Sequence, residues 1–456
     1  MDVGAFLTEY RPLIATGFGI AGLLVLILRA RMNAFAALLL VAILSALAAG
    51  MSPDASFQTI TKGMGSTLGF IATVIGLGAL FGAILNASGA LEALARKLTD
   101  KASFETSRWQ VAGIGLLAST PVFFDVALII LAPLTLAMAH KKSRPALGLG
   151  LPLVAGLAVG HSFLPPTPGP IAIAELIGAD LGWVILFGAI VGVIALSISG
   201  PIYSAFLEKR GLMPEGEAAF DFEELQHAPA APSKAGMAVF LICLPLILIL
   251  AGTLAKFVPV PELRYVLGIV GHPFSALLIG CGATWLLLNP KTPESHAAMS
   301  EGLAKAFEPT GAVILVTGAG GAFKQVLVDT GAGDQLANAA LGIGLGPLLA
   351  GYLLAVMLRL AQGSATVAMI TAAGLTAPII AAAGLSAPQL GLVTIAIAAG
   401  ATTASHVNDS GFWLVGKIFG ITPRETLRTM TITTTLISVV GFTAAAILYA
   451  IVSAVS

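Results

Sequence analysis

The chain has 456 residues, 57 % of them hydrophobic and 10 % charged, with 23 Lys and Arg balanced by 23 Asp and Glu and a mean hydropathy of +0.96. A water-soluble domain carries about 25 % charged residues, so this chain lacks the side chains to build a wetted surface. Its balanced charge gives no electrostatic footprint for nucleic acid, and its apolar runs reach the roughly 17–25 residues that cross a bilayer core as a helix.

The first apolar run, residues 12–28, follows Arg11 and ends at Arg29 and Arg31. No small-residue cleavage site follows a short apolar core, so the run is expected to be a retained span and not a signal peptide. Residues 109–139 lie between Arg108 and the group Lys141, Lys142 and Arg144. Lys and Arg gather on the cytoplasmic side, which puts both ends of this run inside. Pro121 interrupts it, and the twelve residues before that proline reach only about 18 Å at 1.5 Å per residue, short of a ~30 Å core. A re-entrant hairpin entering from the cytoplasm is expected. Further on, "HSFLPPTPGP" (161–170) places prolines inside another long apolar run, where a helix cannot continue.

The polar stretch "EKRGLMPEGEAAFDFEELQHAPAAPSK" (208–234) mixes charges with Pro and Ala and reads as a cytoplasmic linker. It divides the chain into an N-terminal repeat, 1–208, a linker, 209–234, and a C-terminal repeat, 235–456. A shift of 242 residues lays "LFGAILNASGALEALA" (80–95) on "AFKQVLVDTGAGDQLA" (322–337), with six identities over residues 81–95. The same shift carries Gly69 to Gly311, Gly169 to Gly411 and Gly178 to Gly420. Cys243 and Cys281 both fall in apolar segments of the second half and suggest no disulfide framework.

Under this shift the first hairpin lands on residues 351–381, which contain "RLAQGSATVAM" (359–369), and "HSFLPPTPGP" lands on "TASHVNDSGF" (403–412). Asn, Asp and Ser in the latter are helix-starting residues, because their side chains accept from the free N–H groups of a first turn. Five spans plus a hairpin per half is an odd number, so the second half is expected upside down. Of the 23 Lys and Arg, 17 then fall inside; Arg11, Lys62, Lys256 and Arg264 fall outside, and Lys324 and Arg359 lie at membrane depth. The expected fold is an all-α polytopic membrane protein of two inverted-topology repeats, each with five transmembrane spans, one re-entrant hairpin and one broken helix. Unwound backbone at that depth survives only when buried in protein or lining a wet cavity. Half-helix N-termini there suit an anionic group, as in secondary transporters.

"TPVFFDVALIILAPL" (120–134), "GHSFLPPTPGP" (160–170), "GAGGAFKQVLVDTGAG" (318–333), "QGSATVAM" (362–369) and "SHVNDSGFW" (405–413) resemble the gluconate permease (gluconate:proton symporter) family, within the ion-transporter group of inverted-repeat carriers. The resemblance implies uptake of a sugar acid or related small hydroxy acid with protons across a bacterial inner membrane, by a homodimer. The chain departs from that family's pattern at Asp125, where glutamate is common, and at Thr167, where histidine is common.

The candidate site residues come from the interrupted segments. Thr120, Pro121 and Asp125 belong to the first hairpin, and His161, Thr167 and Gly169 to the first broken helix. Gln362, Gly363, Ser364 and Thr366 belong to the second hairpin, and His406, Asn408, Asp409 and Ser410 to the second broken helix. A carboxylate at membrane depth costs about 2.5–3.5 kcal/mol on insertion scales, which marks Asp125 and Asp409 as functional or capping groups. Hydroxyls and amides suit a polyol. Asp125, Asp409, His161 and His406 are the candidates for proton coupling. Arg359 either balances a carboxylate or snorkels to the surface, and Lys324 has no assigned role. No cofactor or metal is expected, and neither H-E-x-x-H nor G-x-S-x-G occurs, which speaks against an enzyme. The other readings are a carrier for glycerate, a ketosugar acid or a polar amino acid such as D-serine, a sodium-coupled carrier, and a channel.

Overall fold

The computed structural model of the chain describes residues 10–88, 90, 103–216, 235–288, 300, 304, 307–332, 335 and 346–455. Among them all regular structure is helical. Helices α1 (Arg11–Leu28) and α2 (Ala34–Ala49) pack on each other. The Asn33 side chain accepts from the Phe35 N–H to start α2, and Gly50 ends it at φ +104°, a conformation only glycine adopts without strain. The 35-residue α3 (Pro53–Ala87) begins with Ser52 accepting from the Ala55 N–H and with a proline in the first turn, where no N–H is needed.

The first hairpin follows: α4 (Phe104–Ser119) and α5 (Phe124–Lys141), turning at residues 120–123. Next come α6 (Leu147–Phe163) and α7 (Pro168–Ile177), two pieces of one apolar run separated by non-helical residues 164–167. α8 (Leu181–Ser197) passes through a π-turn at Ile198–Ile202 into α9 (Tyr203–Lys209). The linker expected over 209–234 lies, from residue 217 on, outside the described residues. So do residues 91–95 and their counterparts 333, 334, 336 and 337 in the repeat alignment.

The second half opens with α10 (Ala235–Leu254), then α11 (Pro261–Val270) and α12 (Pro273–Leu288), which bend by 67° at their junction. After α13 (Glu308–Asp329) comes a second hairpin of α14 (Pro347–Gln362) and α15 (Ala365–Ala382), turning at Gly363 and Ser364. A second interrupted run consists of α16 (Ala387–Thr402) and α17 (Ser410–Ile418), with residues 403–409 unwound. α18 (Pro423–Val455) closes the chain.

Among the described residues, eight helices are long and apolar enough to span a membrane, or nine if the bent pair counts as one span. Against an expectation of five spans per half, Arg11–Ile27, Ala34–Ala49, Pro347–Gln362 and Ala387–Thr402 are apolar but shorter. The first interrupted run lies deep in the molecule, whereas Val407 in the second break is 54 % exposed. In the most apolar stretch of Leu147–Ile177, 94 % of residues are buried, against 28 % in that of α18. The freed backbone groups of residues 164–167 therefore face protein.

Close backbone approach sets the positions of both N-terminal breaks. A Cβ on Gly82 of α3 would lie 1.8 Å from the Pro121 carbonyl oxygen, and one on Gly78 would lie 3.2 Å from that of Pro166. At the base of the first hairpin, Arg108 is 1 % exposed. It pairs with Glu105 and Glu208 and donates to the Gly148 carbonyl at 3.3 Å, tying α4 to α6 and α9. A guanidinium this deep is tolerable only with such partners.

Candidate functional site

A cavity of about 380 Å³ opens between the two halves, within the range of small-molecule sites. Its walls are the start of α5, the end of α6, the turn of the second hairpin, the unwound 403–409 segment and two residues of α18.

The chemistry of one wall follows from Asp409. It is the N-cap of α17, and its Oδ1 accepts from the Gly411 N–H at 3.0 Å. Its other oxygen accepts from the Ser405 hydroxyl and pairs with the Arg359 guanidinium. Arg359, 5 % exposed, also donates to the carbonyls of Gly363 and of Thr403, the latter at 3.3 Å. One buried side chain thus joins the hairpin turn, the unwound segment and the carboxylate. Gly363 has φ +76°, and a Cβ there would lie 2.0 Å from the Asn408 carbonyl oxygen, so no other residue fits this contact.

On the facing wall, Asp125 sits in the first turn of α5. The Ser410 hydroxyl donates to it at 3.4 Å, across the two halves of the chain. No cation lies within ion-pair distance of Asp125 among the described residues. Nε2 of His161 and the Thr366 hydroxyl are 3.2 Å apart, again bridging the halves. His161 Nδ1 and both amide atoms of Gln362 are buried and have no protein partner. Buried polar atoms are normally paired, so three orphans on one cavity point to a polar occupant.

Three helices begin at this cavity: α5, α15 and α17. Ser364 caps α15 by accepting from Val367 N–H at 3.4 Å, and Asp409 caps α17, whereas α5 has no side-chain cap. Each N-terminus brings partial positive charge toward the same space.

Residues 11–452 match the GntP family permease profile. The chain belongs to this family. Its relatives include the low-affinity gluconate transporter of Escherichia coli K12, 37 % identical over 92 % of this chain and 94 % of that one. Another is the Gnt-II system L-idonate transporter of the same strain, 35 % identical over 94 % and 97 %. Among solved structures, MtrF of Neisseria gonorrhoeae superposes with a TM-score of 0.67 over 94 % of this chain and 97 % of its own, at 14 % identity. As a member of the GntP family, the chain is a permease and not an enzyme, a multi-pass protein of the bacterial inner membrane.

In this GntP permease, Asp125, His161, Gln362, Gly363, Ser364, Thr366, Asn408, Asp409 and Ser410 line the cavity together. Thr120, Pro121 and Thr167 do not reach it. They border a separate void of about 20 Å³ on the far side of Phe123 and His161, which line both spaces. The Thr167 hydroxyl is spent on the Leu164 carbonyl, 2.5 Å away. Gly169 is a packing position, since a Cβ there would lie 2.4 Å from the Met369 sulfur. His406 lines neither space, and its Nε2 lies 3.2 Å from the Leu360 carbonyl.

Phe123, Phe124, Ser405, Met430 and Thr434 line the cavity without having been singled out from the sequence. Ser405 N–H donates to the Thr434 hydroxyl at 3.0 Å, and Thr431 donates to the Ser405 carbonyl. The signal for α18 was present in "TMTITTT" (429–435), whose hydroxyls recur on a helix otherwise apolar.

Proposed function

We propose that this permease carries a sugar acid such as gluconate into the cell together with protons, by alternating access. The observation that carries this reading is the cavity between the halves. It combines an internally neutralised Arg359–Asp409 pair, three helix N-termini and the unpartnered atoms of Gln362 and His161. Partial positive charge suits a carboxylate, and amide, imidazole and hydroxyl groups suit a polyol chain. The gluconate and L-idonate specificities of the relatives named above point to the same chemical class.

Inverted repeats, divided as 1–208 and 235–456 around a cytoplasmic linker, supply the moving parts in this reading. The 242-residue shift supports them: it takes the N-cap Thr167 to the N-cap Asp409, the end of α3 at Ala87 to the end of α13 at Asp329, and the start of α8 at Leu181 to the start of α18 at Pro423. It also takes Gly178, φ +75°, to Gly420, φ +64°. Hairpins opening from opposite sides toward one central site would expose it to each side in turn. The homodimer implied by the family resemblance belongs to the same proposal.

The test is uptake by proteoliposomes of purified protein. Labelled gluconate is expected to accumulate under an inward proton gradient, to saturate, and to stop on addition of a protonophore. Uptake that ignores the proton gradient and follows sodium replaces proton coupling with sodium coupling. Competition by L-idonate or glycerate stronger than by gluconate moves the substrate to another hydroxy acid, a reading the L-idonate relative favours. Non-saturable flux means a channel.

A further inference from the structure

We propose, resting on the symport reading above, that Asp125 is the group that takes up the transported proton, while Asp409 is held as the ion-pair partner of Arg359. The two carboxylates line the same cavity but are held differently. Asp409 is engaged by a guanidinium, a hydroxyl and a backbone N–H. Asp125 receives one long hydrogen bond, from Ser410.

The charged and titratable groups around Asp125 can be named element by element. α6 presents His161, α14 presents Arg359, and the start of α17 presents Asp409. Glu105 and Arg108 of α4 and Lys417 of α17 sit at the far ends of their helices from the cavity. Arg359 and Asp409 cancel each other. With His161 neutral, the cavity is left with the single negative charge of Asp125. A sugar-acid monoanion entering this cavity adds a second, and like charges at close range disfavour joint ionisation. The cost falls on the carboxylate that no cation holds. A proton from water at the outer opening adds to one Oδ of Asp125, which becomes a neutral carboxylic acid beside the bound anion. When the substrate leaves on the inner side, that O–H ionises and the proton departs to water. Substrate and proton are thereby coupled through one Coulombic interaction, with no relay between distant residues.

The assignment is tested by measuring proton uptake on binding. Gluconate is added to purified full-length protein in weakly buffered solution containing a pH-indicating dye. By linkage, the wild type is expected to take up about one proton per gluconate bound. Asp125→Asn is expected to take up less than a tenth of that, and Asp125→Glu to restore it. Should Asp125→Asn bind too weakly to measure, Asp125→Glu decides. Glutamate's reference pKa lies about 0.4 above that of aspartate, so the pH midpoint of proton uptake is expected to rise, and an unmoved midpoint overturns the assignment. Full proton uptake by Asp125→Asn also overturns it, as does loss of uptake in His161→Gln with retention in Asp125→Asn. A wild type that binds gluconate without taking up a proton removes the symport reading itself, and that outcome is distinct from a failure confined to the variants.

Discussion

The two helix breaks occupy matching places, 164–167 and 403–409, yet they are built from opposite materials. The first is Leu-Pro-Pro-Thr, fully buried, with its one hydroxyl bonded back to the local backbone. The second is Thr-Ala-Ser-His-Val-Asn-Asp, which turns Asn408 and Asp409 into the cavity and draws Arg359 in from a hairpin. Proline makes a break by removing donors, and needs little from its surroundings. Asp, Asn and Ser make one by supplying acceptors, and their spare hydrogen-bonding capacity is then available to a ligand. A broken helix therefore bears on a binding site only when its unwound residues turn polar groups into a cavity, as Asn408 and Asp409 do.

The hairpin turns differ in the same sense. Pro121 of the first rests its carbonyl on Gly82 of α3, whereas Gly363 of the second rests directly on the Asn408 backbone. One turn is seated on a neighbouring span and the other on the second break itself.

The sharpest way to break this contrast is to remove Arg359. Cutting one partner of a buried ion pair costs about 3–5 kcal/mol. Arg359→Ala is expected to abolish uptake and lower the unfolding temperature markedly. Asp409→Ala should behave alike, and the double variant should lose less stability than the sum of the two. Strict additivity in that double-mutant cycle would mean the pair is not energetically coupled. Gly363→Ala comes next. It forces a left-handed residue at a cost of about 1–2 kcal/mol and thrusts a methyl group against the Asn408 carbonyl. A clear drop in uptake and in unfolding temperature is expected. Uptake within twofold of wild type would show that the hairpin turn and the break need not touch.

Much of this is legible in the sequence. Runs of apolar residues, a proline in the middle of one and Asn-Asp-Ser in the middle of another dictate helices and breaks through local chemistry alone. The interrupted segments read from the sequence accordingly fall within a few residues of the observed breaks. Which polar group faces which space was not readable, because that depends on how hairpins dock against breaks. Thr167 and Asp409 are both N-caps, and the sequence has no local feature that hides one behind Phe123 and opens the other to the cavity. The sequence leaves Arg359 open to two roles for the same reason: snorkelling and ion pairing differ only in the fold around the side chain. Phe123 and Met430 carry no polar signal in the sequence, yet they are walls of the cavity.

Gln362 separates occupancy from architecture. Its amide nitrogen and oxygen are buried beside the cavity without partners, so the folded protein gains nothing from them in the absence of ligand. Each hydrogen bond to a buried group left unsatisfied is worth about 1–3 kcal/mol, so Gln362→Leu is expected to raise the KM for gluconate by about 5- to 150-fold. Its unfolding temperature should hold or rise. A fall in stability with an unchanged KM would make Gln362 a structural residue.

Thr167→Val is expected to do least, and it tests the contrast between the breaks most directly. The hydroxyl it removes bonds only the Leu164 carbonyl, a loss of about 0.5–1.5 kcal/mol, and the isosteric methyl fits the same buried space. Uptake and KM should stay within about threefold of wild type, while the matched change at Asp409 abolishes transport. If Thr167→Val instead raises the KM as far as Gln362→Leu does, the wall formed by Phe123 and His161 must open during the cycle. The void behind it would then be part of the substrate path, and the proline-built break would share the work now assigned to its polar counterpart.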